Sequence, residues 1–418
     1  MPIYPNTKPN VVVFCGAGFS VPMGIPAMNR FSDQLRASQF LSPEEQADLD
    51  LVQNTCNSLA SMIGASARNL EQLASFLSIL QVVRPDFRFD RCSDAMSSPG
   101  KVLRKVVQCM SFMAKPDLRA ASAQHALDSL IGLDHLVNLT FVTTNYDMHI
   151  EFAAVLGNRA VRGLPDLPSS AAITDPSIAD LISIRDVKKD AFALHKLHGS
   201  VNWIDSNGNL SIDEWVKVTQ RSSDPTRSVQ DFYLLDMKPE EDGRREAAAD
   251  DCKKRSRLII PPVVLKPSML DATGPYAILR QQWESASKAI SEADRIWFIG
   301  YSFPETDSFM RYFLGASLFN NVRAHEIVVV DPDRRVVEER ARPIFAAPHH
   351  REIFRSLPVP WHDVRFDQLL NNASIDQVVQ PGAITQMRKR QETELILGGM
   401  TPPLPEEKLV PGPRGRGR

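Results

Sequence analysis

The sequence predicts an α/β protein built on a doubly wound, mostly parallel sheet. Two observations carry that expectation. Short runs rich in Val and Ile recur at 11–15, 136–143, 192–197, 258–264, 295–301 and 326–330, and they are continuously apolar rather than alternating. A strand covered on both faces reads that way. Helical patterns lie between them at 43–60, 70–80, 101–113, 146–156 and 276–293, and strand alternating with helix implies βαβ units.

Composition narrows the class. The chain has 418 residues, of which 43% are hydrophobic and 23% charged, so it can bury a sizeable core without disulfide or metal staples. With 48 Lys+Arg against 50 Asp+Glu the formal net charge is −2, and no basic excess advertises nucleic acid or an anionic membrane surface. The longest apolar runs fall far short of the ~18 residues that a membrane span requires. Residues 1–10 are polar and proline-bearing, unlike a secretory leader. The five cysteines, at 15, 56, 92, 109 and 252, are never spaced C-x-x-C, which argues against a disulfide scaffold or a local zinc knuckle. A cytoplasmic location is expected.

Along the chain, the first two strands are separated by a stretch that reads as almost wholly helical. Residues 36–132 are therefore expected to form a helical insertion on a catalytic domain spanning 1–340. A second, irregular insertion is placed at about 205–256. It carries the runs Lys238-Pro-Glu-Glu-Asp-Gly-Arg-Arg245 and Lys253-Lys-Arg-Ser-Arg257, whose mixed signs favour a solvated loop over a nucleic-acid contact. Residues 341–418 are read as a small C-terminal extension ending in a disordered Pro/Gly/Arg tail.

Five segments carry candidate chemistry. In Gly16-Ala17-Gly18-Phe19-Ser20, followed by Val21-Pro22-Met23-Gly24-Ile25-Pro26, an apolar strand runs into a glycine turn and a helix start. Such a turn lets backbone approach a pyrophosphate, and equally serves as a tight strand–helix connection. Thr143-Thr144-Asn145-Tyr146-Asp147 follows the second strand, at the end of a parallel strand where ligands bind. Asn145 suits a water or a ribose hydroxyl and Asp147 an amide, though both residues also cap helices well. In Leu194-His195-Lys196-Leu197-His198-Gly199-Ser200 the two histidines stand three apart. On one strand they would face opposite sides, which disfavours shared metal ligation, and one imidazole at a strand end suits a general base. Gly300 and Ser302 follow the 295–301 strand and Asp331 follows the next, placed for phosphate or ribose, or in the case of Asp331 for a helix cap.

Taken together, G-A-G-x-S with G-I-P, then T-x-N-x-D, H-G-S, G-x-S and a strand-terminal Asp resemble the sirtuin superfamily over residues 10–335. The likeness is to the divergent sirtuin-like domains of bacterial antiphage systems. It implies a Rossmann-like sheet and NAD as the substrate. Gly16, Ala17, Gly18, Ser20 and Ile25 would line the cofactor's pyrophosphate and nicotinamide pocket, with Asp147 at the nicotinamide. Gly300 and Ser302 would face phosphates or ribose, and Asp331 the adenosine. Asn145 would orient a water, and His198 would act as base. Protein deacylases of this superfamily carry a four-cysteine zinc module and an Asp-Phe-Arg after Gly-Ile-Pro. Here no C-x-x-C exists and Ala27, Met28 and Asn29 follow, so no zinc is expected and water is the favoured acceptor. The resemblance thus implies a NAD hydrolase giving nicotinamide and ADP-ribose, an effector of antiviral defence by NAD depletion. It also implies a homo-oligomer gated by a separate HerA-type ATPase/helicase or an Argonaute-type sensor. A deacylase or ADP-ribosyl transferase, and a non-catalytic sensor of an NAD-derived nucleotide, are the alternatives.

Overall fold

Val11, Val13 and Cys15 point to one side of the first strand and Val12 and Phe14 to the other, and in the computed structural model both sides are covered. The structure describes residues 8–25, 30, 41–62, 70–113, 121–156, 160–162, 164, 191–206, 209–212, 256–260, 275–304, 307–319, 321–333, 339–341, 343–345 and 348–387. Strand β1, Asn10–Cys15, is central. It pairs in parallel with β2, Asn138–Thr143, on one side and with β8, Arg295–Ile299, on the other. Beyond β2 lie β4, Ala191–Lys196, and the edge strand β3, Ala160–Arg162. Beyond β8 lie β9, Glu326–Val330, and β10, Phe354–Leu357. The order β10-β9-β8-β1-β2-β4-β3 makes a seven-stranded, all-parallel, doubly wound Rossmann-like sheet.

The chain starts at β1, builds outward through β2, and later returns to build outward in the opposite direction from β8. The reversal falls between β1 and β8, where open α/β sheets bind their ligands at the carboxyl ends of the strands. Helices α5, Ala121–Ile131, and α6, His149–Leu156, cover the face bearing Val13, Phe141 and Trp297. Helices α7, Pro275–Ser291, and α8, Ser308–Phe319, cover the face bearing Phe14, Val142 and Phe298. Continuous burial on both faces is what the uninterrupted apolar runs encode.

Between β1 and β2, helices α2, Pro43–Ser61, α3, Leu70–Val83, and α4, Pro99–Met113, enclose a core of their own around Val52, Cys56, Leu77, Val106 and Met110. A reciprocal capping box starts α2, with Ser42 Oγ accepting from Glu45 N at 3.2 Å and Ser42 N donating to Glu45 Oε2 at 3.0 Å. Helix α5, at the end of the same stretch, packs on the main sheet instead.

Several expectations change. The 258–264 run does not continue the parallel sheet. Of its described residues 258–260, the first two lie in β7, Ser256–Ile259, which pairs antiparallel with β5, Gly199–Ser206. With β6, Asn209–Ile212, these strands form a separate three-stranded sheet, order β6-β5-β7. Gly199, at φ +81°, passes so close to β7 that a Cβ there would stand 2.0 Å from Leu258 O. Beyond residue 340, β10 extends the main sheet. Trp297 Nε1 and the Arg295 and Arg355 guanidiniums converge on the buried Glu326 carboxylate beneath it. The charged run at 238–245, most of the 205–256 insertion and the Pro/Gly/Arg tail lie outside the described residues.

Candidate functional site

All five candidate segments follow the carboxyl ends of neighbouring strands. In sheet order they are Asp331 after β9, Gly300–Ser302 after β8, Gly16–Ser20 after β1, Asn145–Asp147 after β2 and His198 after β4. At the usual strand spacing that rim is about 19 Å wide.

The glycine turn is built against the loop after β8. Gly16 N donates to Ile299 O at 3.1 Å and Gly18 N to Gly300 O at 2.8 Å. A Cβ on Gly16 would lie 2.6 Å from Gly300 O, and one on Gly300 would lie 2.2 Å from Phe19 N. Gly300 has φ +60° and Phe303, fully buried, has φ 48°. Two left-handed residues within four positions fold this loop back across the turn, the kind of backbone that collects at binding sites. The glycines are therefore demanded by loop-on-loop packing, and the N–H groups of Gly16 and Gly18 are already engaged. Ala17 and Ser302 are exposed, and the short helix α1, Ala17–Ser20, leads through a 3-10 turn, Val21–Met23, to Ile25. Ile25 packs beside Tyr146, Met148, Val201 and Ile259. Ala27, Met28 and Asn29 lie outside the described residues.

Asn145 sits under this turn and is 8% exposed. Its Nδ2 donates to Gly16 O at 2.8 Å and to Ser20 Oγ at 2.9 Å, which orients the amide and leaves Oδ1 as an acceptor with no partner among the described residues. Ser20 Oγ in turn donates to Asp147 Oδ2 at 2.6 Å, while Asp147 Oδ1 accepts from His149 N at 3.1 Å. Asp147 thus caps α6, which starts at His149 rather than at Tyr146 as the sequence suggested. Behind the turn, burial, with the Asp147 charge adding, pushes the Cys15 thiol well up and keeps it neutral.

His198 lies in the two-residue turn between β4 and β5, not on a strand with His195. Its buried ring stands 6.2 Å from Tyr146 and 6.1 Å from Trp283, centroid to centroid, and Trp283 Nε1 donates to Leu197 O at 2.7 Å. Thus Tyr146, one residue from Asn145, flanks the His198 imidazole. His195, in register with Val142, lies on the face under α7, and burial lowers its pKa. At the far side, Asp331 Oδ1 accepts from Asp333 N at 2.8 Å in a local turn, and burial raises its carboxyl pKa.

The sequence did not single out Lys196, Tyr146, Trp283 or Trp361. Lys196 is wholly buried and its ammonium meets the Asp147 carbonyl, the Glu151 carboxylate and Ser200 Oγ. Trp361, from the segment after β10, stacks on Phe19 at 4.6 Å and donates from Nε1 to Phe19 O at 3.0 Å. A lysine inside an apolar strand run was the available signal for the first. The second is a contact between distant parts of the chain with no local signature. Among the described residues no three His, Cys, Asp or Glu side chains gather as metal ligands, and no helix is long and apolar enough to cross a membrane.

No protein-family model matches the chain, and no curated protein matches it. Among solved structures, it is similar to a Sir2 in complex with the inhibitor EX-527, 2'-O-acetyl-ADP-ribose and deacetylated p53 peptide, at 12% identity and TM-score 0.31 over 87% of this chain and 93% of that one. A Sir2–p53 peptide–NAD+ structure matches at 14% identity and TM-score 0.31, covering 87% and 92% of the two chains. A third Sir2 structure, described under the mechanism and regulation of Sir2 enzymes, matches at 12% identity and TM-score 0.33, covering 87% and 94%.

Proposed function

We propose that the chain is a sirtuin-like NAD hydrolase that cleaves the nicotinamide–ribose bond. The observation that carries this reading is the direct bonding of Asn145, after β2, to the Gly16–Ser20 turn after β1, which itself borders the β1–β8 gap where the strand order reverses. That contact unites two of the segments whose order along the chain resembles the sirtuins, and Tyr146 links them to His198.

The nicotinamide of NAD is already a cation and departs neutral, so its departure requires no acid. The residues' task is to hold the ribose, keep bulk water away and present one nucleophile. Asn145 Oδ1, an acceptor without a partner among the described residues, orients a water. His198 accepts the proton from that water or from a ribose hydroxyl, a contribution typically worth ~100- to 10,000-fold. On this reading Ala17 and Ile25 would border the nicotinamide, Gly300 and Ser302 would face the phosphates, and Asp331 would hold the adenosine ribose. The wider proposal is a zinc-independent, cytoplasmic homo-oligomer in antiviral defence, gated by a partner sensor.

Chromatography of NAD products from the wild type and from Asn145→Ala and His198→Ala tests the reading. Nicotinamide and free ADP-ribose from the wild type alone support it. Acyl-ADP-ribose formed only with an acyl-lysine peptide would reassign the site to a deacylase. NAD that raises the melting temperature yet returns intact would make the chain a sensor.

A further inference from the structure

The loop carrying Asn145 and the turn carrying His198 belong to different strands, and one buried side chain sits between them. Lys196 is the last residue of β4 and is 0% exposed. Its ammonium has three protons and three short contacts, with Asp147 O at 2.5 Å, Glu151 Oε1 at 2.7 Å and Ser200 Oγ at 2.7 Å. Two of these reach the segment after β2 and its helix; the third reaches β5, just past His198. Tyr146 O lies 3.5 Å from the same nitrogen and 3.4 Å from Ser200 Oγ. Backbone bonds run alongside, from Leu197 N to Thr143 O at 2.9 Å and from Val201 N to Tyr146 O at 3.0 Å.

A lysine placed in a core must find a partner for its charge and acceptors for its protons. For stability alone, apolar residues of similar volume commonly serve as well. What the ammonium adds is direction: it draws two carbonyls, a carboxylate and a hydroxyl to one point, and so fixes where Tyr146 stands against the His198 ring.

We infer that Lys196, with Glu151 as its counter-ion and Ser200 as its relay, is a positioning residue that holds the Asn145 loop and the His198 turn in one reactive arrangement. The inference rests on the hydrolase reading for its effect on rate, but its structural content is independent of it. Misplacement of a reacting group by about 1 Å costs ~100-fold in rate.

The test uses the full chain carrying Lys196→Met together with Glu151→Leu, which removes both charges so that neither is left buried and unpaired. Melting temperature, kcat and KM for NAD, and the 13C-histidine resonances of His198, assigned with His198→Gln, are measured for the pair and the wild type. The expected result is a melting temperature at or above wild type, KM within about twofold, kcat lowered by about 100-fold and shifted His198 resonances. A folded double variant with wild-type kcat and unshifted resonances overturns the inference. If the wild type releases no nicotinamide, the hydrolase reading fails and the resonances alone decide: a shift upholds positioning, none refutes it. Should the double variant not fold, Ser200→Ala, which removes one contact of the ammonium, takes its place: lowered kcat with shifted resonances upholds positioning, and wild-type values of both refute it.

Discussion

The side-chain amide of Asn145 donates to the carbonyl of Gly16 at 2.8 Å, so the turn after β1 is closed by the loop after β2. On the proposed reading this residue bears on chemistry as well as on architecture. Asn145→Ala removes two hydrogen bonds but leaves Gly16 O its bond from Phe19 N and Ser20 Oγ its bond to Asp147, so the cost is about 0.5–1.5 kcal/mol per bond lost. The variant should melt several degrees below wild type and release essentially no nicotinamide. Asn145→Asp keeps the size but sets an acceptor against the Gly16 carbonyl, so it should be at least as destabilised. Equal stability of all three proteins in urea titrations would show that the amide does not clamp the turn.

Gly300 tests the packing of the two loops. At φ +60° a side chain is strained, and a Cβ would stand 2.2 Å from Phe19 N. Left-handed backbone costs a non-glycine residue ~1–2 kcal/mol before any clash. The neighbour here is main chain, which cannot swing aside. Gly300→Ala should lose more than about 2 kcal/mol, whereas Gly315→Ala, on α8 with open space at its Cβ, should be neutral or stabilising. Matching urea midpoints for the two variants would contradict this packing.

How much of this was legible in the sequence depends on what each residue touches. β1, β8 and β9 could be read directly because both of their faces are buried, which leaves a continuous apolar signature. β10, Phe-Arg-Ser-Leu, could not, because an edge strand exposes Arg355 and its burial is patchy. The glycines of the β1 turn were visible as glycines, but their cause was not. They are required by Gly300, far away in the chain, and no local pattern reports such a contact. Lys196 stood in plain view between Leu194 and Leu197 as an ordinary polar residue. A buried lysine differs from a solvated one only through its partners, and those come from α6 and β5.

Trp361 ties the segment after β10 to the back of the glycine turn. Trp361→Phe keeps an aromatic face on Phe19 but removes the bond to Phe19 O, which should cost about 1–3 kcal/mol. Trp361→Ala also empties a buried site and should cost ~3–5 kcal/mol. Because the contact lies directly behind Gly18 and Ser20, both variants should raise KM for NAD more than they lower kcat. Urea titration and initial-rate kinetics check the two parts, and an unchanged KM in a folded Trp361→Ala protein would separate this segment from the site.

The helical layer between β1 and β2 makes a chemical prediction. Burial pushes the thiols of Cys56 and Cys109 up to about 12, so neither forms the reactive thiolate near neutral pH. In native protein at pH 8, iodoacetamide should spare Cys56, Cys109 and Cys15 and modify them in urea. Peptide mass mapping reads this directly, and rapid native labelling of Cys56 or Cys109 would show that the α2–α4 core opens.

His149 gives the acid limb of stability a specific cause. Its ring is 2% exposed, and neither nitrogen finds a partner among the described residues. Burial lowers its pKa below the usual 6.5 and outweighs the Asp147 charge, which pulls the other way, while the more modest repulsion from Lys196 adds to the lowering. The unfolded chain therefore takes up a proton on this ring before the folded one does. Stability is at its full value above about pH 6.5 and declines as the pH falls from there toward the folded-state value. His195 and His350 are shifted in the same direction by burial and add to the same limb. His149→Leu removes one of these groups along with its unsatisfied nitrogens. It should melt at or above wild type at pH 7.5, and lose less between pH 7.5 and 5.5 than wild type does. The measurement is the difference between two melting curves rather than either one alone, so an overall gain or loss of packing cancels. Parallel declines in the two proteins would place the acid sensitivity elsewhere, and would mean that His149 charges without opening the loop that Asp147 and Lys196 hold.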